Sequence, residues 1–254
     1  MTAGAWDDSV RFVLVEPQAA GNVGAAARAL KNLGFHRLVV VAPDCDPRGP
    51  EAARMAVDAA DVLARAEVVA DLDAALAGAA TVVGTTGRTG KQRLPHYRLD
   101  ELAPRLVTLG TSGELAVLFG REKRGLTAVE LDRCTHLVHF LASEDYPSFN
   151  LAQSVLLVAY ELRRSAASLS SGSASASLTS AQEEGLADDA QREAMYAHLQ
   201  DALLALGFLK QDTTEGRMRR LRRMLGRATL SPGDADVLRG IARQILWLAG
   251  VARR

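Results

Sequence analysis

The chain has 254 residues, 48% of them hydrophobic, and its 30 basic residues balance 30 acidic ones. That composition suits one large domain, or a medium domain plus a small one, around a real core; it excludes a disordered chain, and no apolar run approaches the roughly 20 residues a bilayer span needs. Cys45 and Cys134 fit no ligand spacing and read as two reduced thiols of a cytoplasmic protein, and the N-terminal MTAGAWDDSV lacks the basic and apolar regions of a signal peptide.

In chain order, Val10 to Glu16 (VRFVLVE) reads as a short buried strand. GNVGAAARALKNLG follows as a helix, with Val23, Ala26, Ala27 and Leu30 at helical spacing and Gly34 placed to end it. Leu38 to Ala42 is a second strand, stopped by Pro43. Glu51 to Arg65 reads as a helix, Val68 to Ala70 as a weak strand and Leu72 to Ala77 as a short helix. Thr81 to Thr85, Leu115 to Phe119 (the clearest) and Leu137 to Leu141 are further strands, and Leu151 to Arg163 is a strong helix. Continuously apolar strands alternating with helices predict an α/β fold: a parallel sheet with helices on both faces.

The composition changes after Arg164. Ser165 to Ser180 (SAASLSSGSASASLTS) is low-complexity and reads as a flexible linker. The expected organisation is therefore a catalytic-sized domain over residues 1–164, a linker over 165–185 and a small all-helical domain over 186–254. Residues 1–165 carry 18 basic and 20 acidic residues, whereas 186–254 carry 12 and 8. In the tail, Met195, Leu199, Leu203 and Leu206 share one helical face, Arg217 to Arg227 holds six arginines and no acid, Pro232 to Asp236 looks like a helix start, and Val237 to Val251 is the last helix.

Ligands of parallel sheets gather at the carboxyl ends of strands, and loops at three such ends stand out. Gly21-Asn22-Val23-Gly24 leads into the helix that carries Arg28; it is neither a P-loop nor G-x-G-x-x-G, and alone it reads sooner as a structural turn before a helix than as a site. Phe119-Gly120-Arg121-Glu122-Lys123-Arg124-Gly125-Leu126 packs two glycines and four charges behind the best strand, and Thr127 with Glu130 forms a capping box for the next helix; alone it reads equally as a solvated loop. In Tyr146 to Gln153, Ser148 is a possible helix cap, with Asn150 and Gln153 as unusual polar company.

Their order and spacing together are specific. The triple resembles the three motifs of the SpoU branch of the SPOUT RNA methyltransferases: N-x-G-x-x-x-R at Asn22, Gly24 and Arg28; F-G-x-E-x-x-G-L at Phe119 to Leu126; and S-L-N-L-x-Q/A at Ser148 to Gln153, with Phe149 for Leu. Thr85-Thr86-Gly87-Arg88 is similar to the T-S-A-R segment of the TrmJ subfamily, departing at Thr86-Gly87. The Tyr196-to-Phe208 helix, the arginine stretch and Leu238-Arg239-Gly240 are similar to that subfamily's helical extension, and the long Ser/Ala linker is a departure.

The resemblance implies a SPOUT fold with a C-terminal trefoil knot, which pattern alone does not predict. It implies homodimers with the active site at the dimer interface, S-adenosyl-L-methionine as methyl donor, and methyl transfer to a tRNA ribose 2′-hydroxyl at anticodon-loop nucleotide 32. The implied cofactor contacts are Thr85, Thr86, Gly87, Gly120, Phe140, Pro147, Ser148 and Phe149. Arg28 is the implied key catalytic residue, and the permanent charge of a guanidinium favours a phosphate clamp that polarises the hydroxyl over a general base. Asn22, Ser148 and Asn150 would orient ribose and loops, and Glu122 would hold a loop or partner an arginine. No metal is required, because the leaving thioether needs no charge stabilisation, and His36, His96, His136, His139 and His198 match no motif position. Arg219, Arg220, Arg222 and Arg223 are expected to face solvent and contact RNA phosphates. Two rivals are a ribosomal RNA ribose methyltransferase, against which the helical tail and the Thr85-to-Arg88 segment argue, and a non-catalytic RNA-binding or assembly factor, against which the intact Asn22, Arg28, Glu122, Ser148 and Asn150 argue.

Overall fold

Six successive buried side chains in β1 (Val10–Val15) require cover on both faces of a sheet, and the computed structural model of the protein supplies it. The structure describes residues 6–87, 96–143, 145–146, 148–170, 185–210, 212–226 and 228–252. Among them β1, β2 (Arg37–Val41), β3 (Glu67–Val69), β4 (Ala79–Thr85), β5 (His96–Arg98), β6 (Glu114–Phe119) and β7 (His136–His139) form one parallel sheet in the order β3-β2-β1-β6-β4-β7-β5. Alternate residues of the central strands point to opposite faces. Val13, Val15, Ala116 and Leu118 join Ala75 and Leu76 of α4 (Leu72–Leu76) and Leu131 of α6 (Ala128–Asp132). On the other face Phe12 stacks on Phe119 and meets Phe35. Helix α1 (Ala20–Asn32) packs on α2 (Pro50–Ala56), α3 (Ala60–Arg65) and α7 (Leu151–Ser170), and α7 also packs on α5 (Leu99–Ser112). The order sets the carboxyl ends of β1, β6 and β4 side by side, which brings together loops far apart in sequence.

Several expectations are corrected. The stretch 51–65 is not one helix: at Val57, with φ +51°, α2 gives way to a 3₁₀ turn (Val57–Ala59) and then α3. Strand β5 and helix α5 correspond to no expected element; α5 contains Pro104, and Leu99, Leu102, Ala103, Leu106 and Val107 are buried at helical spacing around it. The last strand ends at His139 rather than Leu141, whose side chain is exposed. Gly21 and Gly24 lie inside α1, not in a turn before it. Helix α7 runs to Ser170, so residues 165–170 are not linker. Ser165 and Ala166 are buried, and a Ser/Ala run that could not nucleate a helix readily extends one already formed. The rest of the expected linker, 171–184, lies outside the described residues.

The chain divides into two compact units, Met1–Ser177 and Leu178–Arg254. The second contains α8 (Asp189–Ala205), α9 (Thr214–Leu225) and α10 (Pro232–Ala252). Asp188 and Gln191 form a capping box for α8, and Ser231 with Asp234 caps α10 in the same reciprocal way. Met195, Tyr196, Leu199, Met218 and Ala242 form its core. Leu206, expected on the core face, is exposed, because α8 ends at Ala205 and Gly207, at φ +74°, turns the chain.

Candidate active site

The loop after β6 is built by its glycines. Residues 120–125 fold back so tightly that a methyl on Gly120 would collide with the backbone of Gly125 and Leu126, and Gly125 takes φ +67°. The Gly125 amide donates to the Arg121 carbonyl at 2.8 Å. Arg121 anchors this turn from within: its guanidinium holds Glu130 through two bonds of 3.0 and 3.1 Å and Glu16 through Nε at 2.7 Å. The hydrogen bonds it donates to Glu16 and Glu130 raise the Arg121 pKa, and Arg121 in turn holds the Glu16 carboxyl below the usual carboxylate range. Glu130 also closes the expected capping box with Thr127. One side chain thus ties the end of β1, the β6 loop and α6.

Glu122 joins the three loops. Its carboxylate accepts from the Gln18 amide (3.0 Å), the Ala19 amide (3.2 Å) and Asn22 Nδ2 (2.9 Å). Burial opposes its charge, but the bonds from Asn22 and from the amides of Gln18, Glu122 and Ala19 prevail and hold its pKa below the ordinary value. Asn22 Oδ1 accepts in turn from Asn150 Nδ2 at 2.9 Å. Asn150 Oδ1 accepts from the amides of Ala152 and Gln153, and Gln153 Oε1 accepts from the Asn150 amide, so Asn150, not Ser148, caps α7. A single relay, Glu122–Asn22–Asn150, therefore connects the start of α1, the β6 loop and the start of α7.

Beside this relay is a cleft of about 300 Å³. Thr85, Thr86 and Gly87 line one side, the 120–126 loop another, and Phe140, Ser148 and Phe149 a third. Thr85 Oγ1 donates to the Leu118 carbonyl at 2.9 Å, which fixes the end of β4 against β6. The Phe140 and Phe149 rings meet edge to face at 5.4 Å. Lys123 and Arg124 are exposed at the rim. An apolar aromatic wall, backbone polar groups and a cationic rim suit a flat heterocycle carried by a polar, partly charged molecule. Among the described residues no group of three His, Cys, Asp or Glu is placed to hold a metal ion, and no helix is long and apolar enough to cross a membrane.

The family model of the SpoU rRNA Methylase family matches residues 9–160, which contain every part of this site. The chain belongs to the SpoU methylase family. A second model, that of the tRNA methyltransferase TrmJ C-terminal domain, matches residues 190–254 and places the chain in the TrmJ branch. The tRNA (cytidine/uridine/adenosine-2′-O-)-methyltransferase TrmJ of Pseudomonas aeruginosa (strain UCBPP-PA14) is 40% identical over 240 residues, 92% of each chain. The tRNA (cytidine/uridine-2′-O-)-methyltransferase TrmJ of Cronobacter sakazakii (strain ATCC BAA-894) is 38% identical over 93% of this chain and 96% of that one. Among solved structures, TrmJ from Z. mobilis ZM4 superposes with a TM-score of 0.77 at 28% identity, covering 92% of this chain and 98% of that one.

Against this SpoU frame the expected site residues divide. Seven of the expected cofactor contacts line the cleft; Pro147, like Arg88 of the Thr85-to-Arg88 segment, lies outside the described residues. Asn22, Glu122 and Asn150 meet in the relay. Glu122 holds backbone and Asn22 rather than an arginine; the arginine at this turn, Arg121, pairs with Glu16 and Glu130 instead. Arg28 is exposed on α1 and does not line the cleft. Of the four arginines expected to face solvent on α9, only Arg220 is exposed: Arg219 pairs with Glu215, Arg222 with Glu193, and Arg223 Nε donates to the Arg219 carbonyl. An acid one turn earlier and another on α8 supply the counter-charge that the stretch itself lacks. Arg121 and Glu16 are not among the expected site residues. Arg121 occupies a variable position of the second motif, and Glu16 shows itself only by its φ of +47° at the end of β1.

Proposed function

We propose that the chain is an S-adenosyl-L-methionine-dependent tRNA ribose 2′-O-methyltransferase acting on nucleotide 32 of the anticodon loop. The observation that carries this reading is the Glu122–Asn22–Asn150 relay at the edge of the cleft, which locks three motif loops into one site. Its TrmJ relatives support tRNA as substrate. The cleft fits the methyl donor by its chemistry: the Phe140–Phe149 pair suits adenine, and backbone groups at Gly87 and Gly120 suit the polar remainder. When bound, the donor supplies an electrophilic methyl on a sulfonium.

The chain's own residues then orient and polarise. Asn22 and Asn150, each fixed by the relay, hold the loops that align the ribose, with Ser148, exposed in the cleft lining, as a further hydroxyl contact. Glu122 keeps its charge on backbone amides and Asn22, so its role is to hold the loops in place. Arg28 clamps a phosphate beside the target ribose and polarises the 2′-hydroxyl, a bidentate task that lysine does not perform. Its distance from the cleft lining is met by a homodimer in which one protomer's Arg28 completes its partner's site. The knot, a cytoplasmic location, metal independence and RNA affinity residing in the C-terminal unit belong to the same reading. The test is purified protein with labelled methyl donor and, in separate reactions, unmodified tRNA and ribosomal RNA, followed by mapping of the 2′-O-methylated nucleotide. Methylation at position 32 supports the reading; methylation of ribosomal RNA alone, or none, overturns it.

A further inference from the structure

The six arginines of 217–227 look like one cationic face in sequence, but the structure sorts the five it describes, Arg227 lying outside the described residues. Arg219, Arg222 and Arg223 are engaged within the unit, Arg222 lying 4.3 Å from the centre of the Tyr196 ring and 2.8 Å from Glu193. Arg217 and Arg220 are exposed, one turn apart on α9, on a strip that continues to the exposed Met224. Beside them, Gly207 at φ +74° turns the chain so that Leu209 enters the core and Phe208 is left 59% exposed. Arg217 lies 5.3 Å from the centre of the Phe208 ring and donates to the Phe208 carbonyl. Lys210 is exposed two residues on, as are the acids Asp212 and Glu215, the latter paired with Arg219.

A lone exposed phenylalanine is ordinary. One held beneath an arginine, with an exposed lysine two residues on and a second exposed arginine one turn along the same helix, has the composition that recognises unpaired nucleotides: a ring for a base and cations for the neighbouring phosphates. We propose that Phe208, with Arg217 and Arg220, is a stacking site on the C-terminal unit for an unpaired RNA nucleotide. The proposal rests on the tRNA reading and deepens it. The positive flank makes RNA the better match than an apolar or basic protein surface.

The full-length protein is titrated with tRNA and with a short stem-loop RNA at several salt concentrations, alongside methyl-donor binding by calorimetry and thermal melting. Phe208→Leu is expected to weaken RNA binding at least fivefold with an unchanged salt slope, because stacking releases no counterions. Phe208→Tyr is expected to stay within twofold of wild type. Arg217→Gln and Arg220→Gln are each expected to flatten the dependence of log K on log salt by about 0.7–0.9. Donor affinity and melting temperature should hold throughout. Wild-type RNA affinity in Phe208→Leu overturns the proposal and assigns the patch to a protein partner. Equal losses in Phe208→Leu and Phe208→Tyr, with a lowered melting temperature, overturn it in favour of a structural role. If wild type binds neither tRNA nor the methyl donor, the tRNA reading itself falls; if wild type binds both and Phe208→Leu is unaffected, only the stacking site does.

Discussion

At the scale of single residues, two ionisable groups carry pH dependence of known sign. Glu122 is held ionised by four hydrogen-bond donors against the cost of burial, so its folded pKa lies below the ordinary carboxylate value. Its contribution to stability is full above about pH 4.3, the unfolded value, and is lost as pH falls through the lower folded value. Glu122→Gln turns an amide toward donors already present and is expected to cost about 1–3 kcal/mol near neutrality. Urea midpoints for the two proteins should converge as pH falls below 4. His136 behaves differently. Burial, with Arg105 nearby, pushes its pKa down to about 4. The unfolded chain then binds more protons than the fold between about pH 6.5 and 4, so acid destabilises in that window, by roughly 3 kcal/mol in total. In His136→Gln, which has no proton to gain, that part of the pH profile should disappear; an unchanged profile would show that His136 is not its source.

At the scale of elements, the glycines separate packing from flexibility. Gly24 is helical, and a methyl there would sit inside the contact radius of the Ala52 carbonyl, so it sets how closely α1 approaches α2. Gly24→Ala should destabilise by about 1–3 kcal/mol and displace Asn22 on the same helix, lowering turnover as well. Gly216, in α9, has open space around it, and Gly216→Ala should stabilise by about 0.5–1 kcal/mol without touching activity. Thermal melts of the pair check both directions. The start of α7 makes a third case. Asn150 is at once its cap and the last member of the relay, so Asn150→Ala should lose about 0.5–2 kcal/mol of stability and nearly all activity, whereas Asn150→Ser, retaining a cap but not the amide bond to Asn22, should recover stability alone.

At the scale of the whole molecule, Arg28 is exposed and does not line the cleft, so the proposed homodimer predicts that one protomer's Arg28 serves its partner's site. Arg28→Ala should abolish methyl transfer with nearly unchanged donor affinity, and Arg28→Lys should be poor. Mixing Arg28→Ala protomers with protomers inactivated in the cleft should restore up to one working site per mixed dimer. No recovery in a verified mixed dimer would mean that each protomer uses its own Arg28. Chelation should leave turnover intact wherever tRNA stays folded.

The sequence by itself determined the parallel α/β class, the helical tail, the three motif loops and the Thr127–Glu130 box, because strand apolarity, helical spacing and capping are local patterns. It also carried the family, since motif order and spacing are linear features. It did not reveal α5, whose buried face is interrupted in print by Pro104, or the extension of α7 to Ser170, where burial of Ser165 and Ala166 overrides a composition that reads as linker. Only tertiary structure decided the rest. Glu122 meets Asn22 across 100 residues and Asn150 meets Asn22 across 128, partnerships that no local pattern encodes. The arginines of α9 look alike in sequence, but the acids on α8 and one turn upstream choose which of them are neutralised and leave Arg217 and Arg220 exposed. Charge along a chain is a property of composition; the charge a surface offers depends on which counter-charges the fold brings within reach.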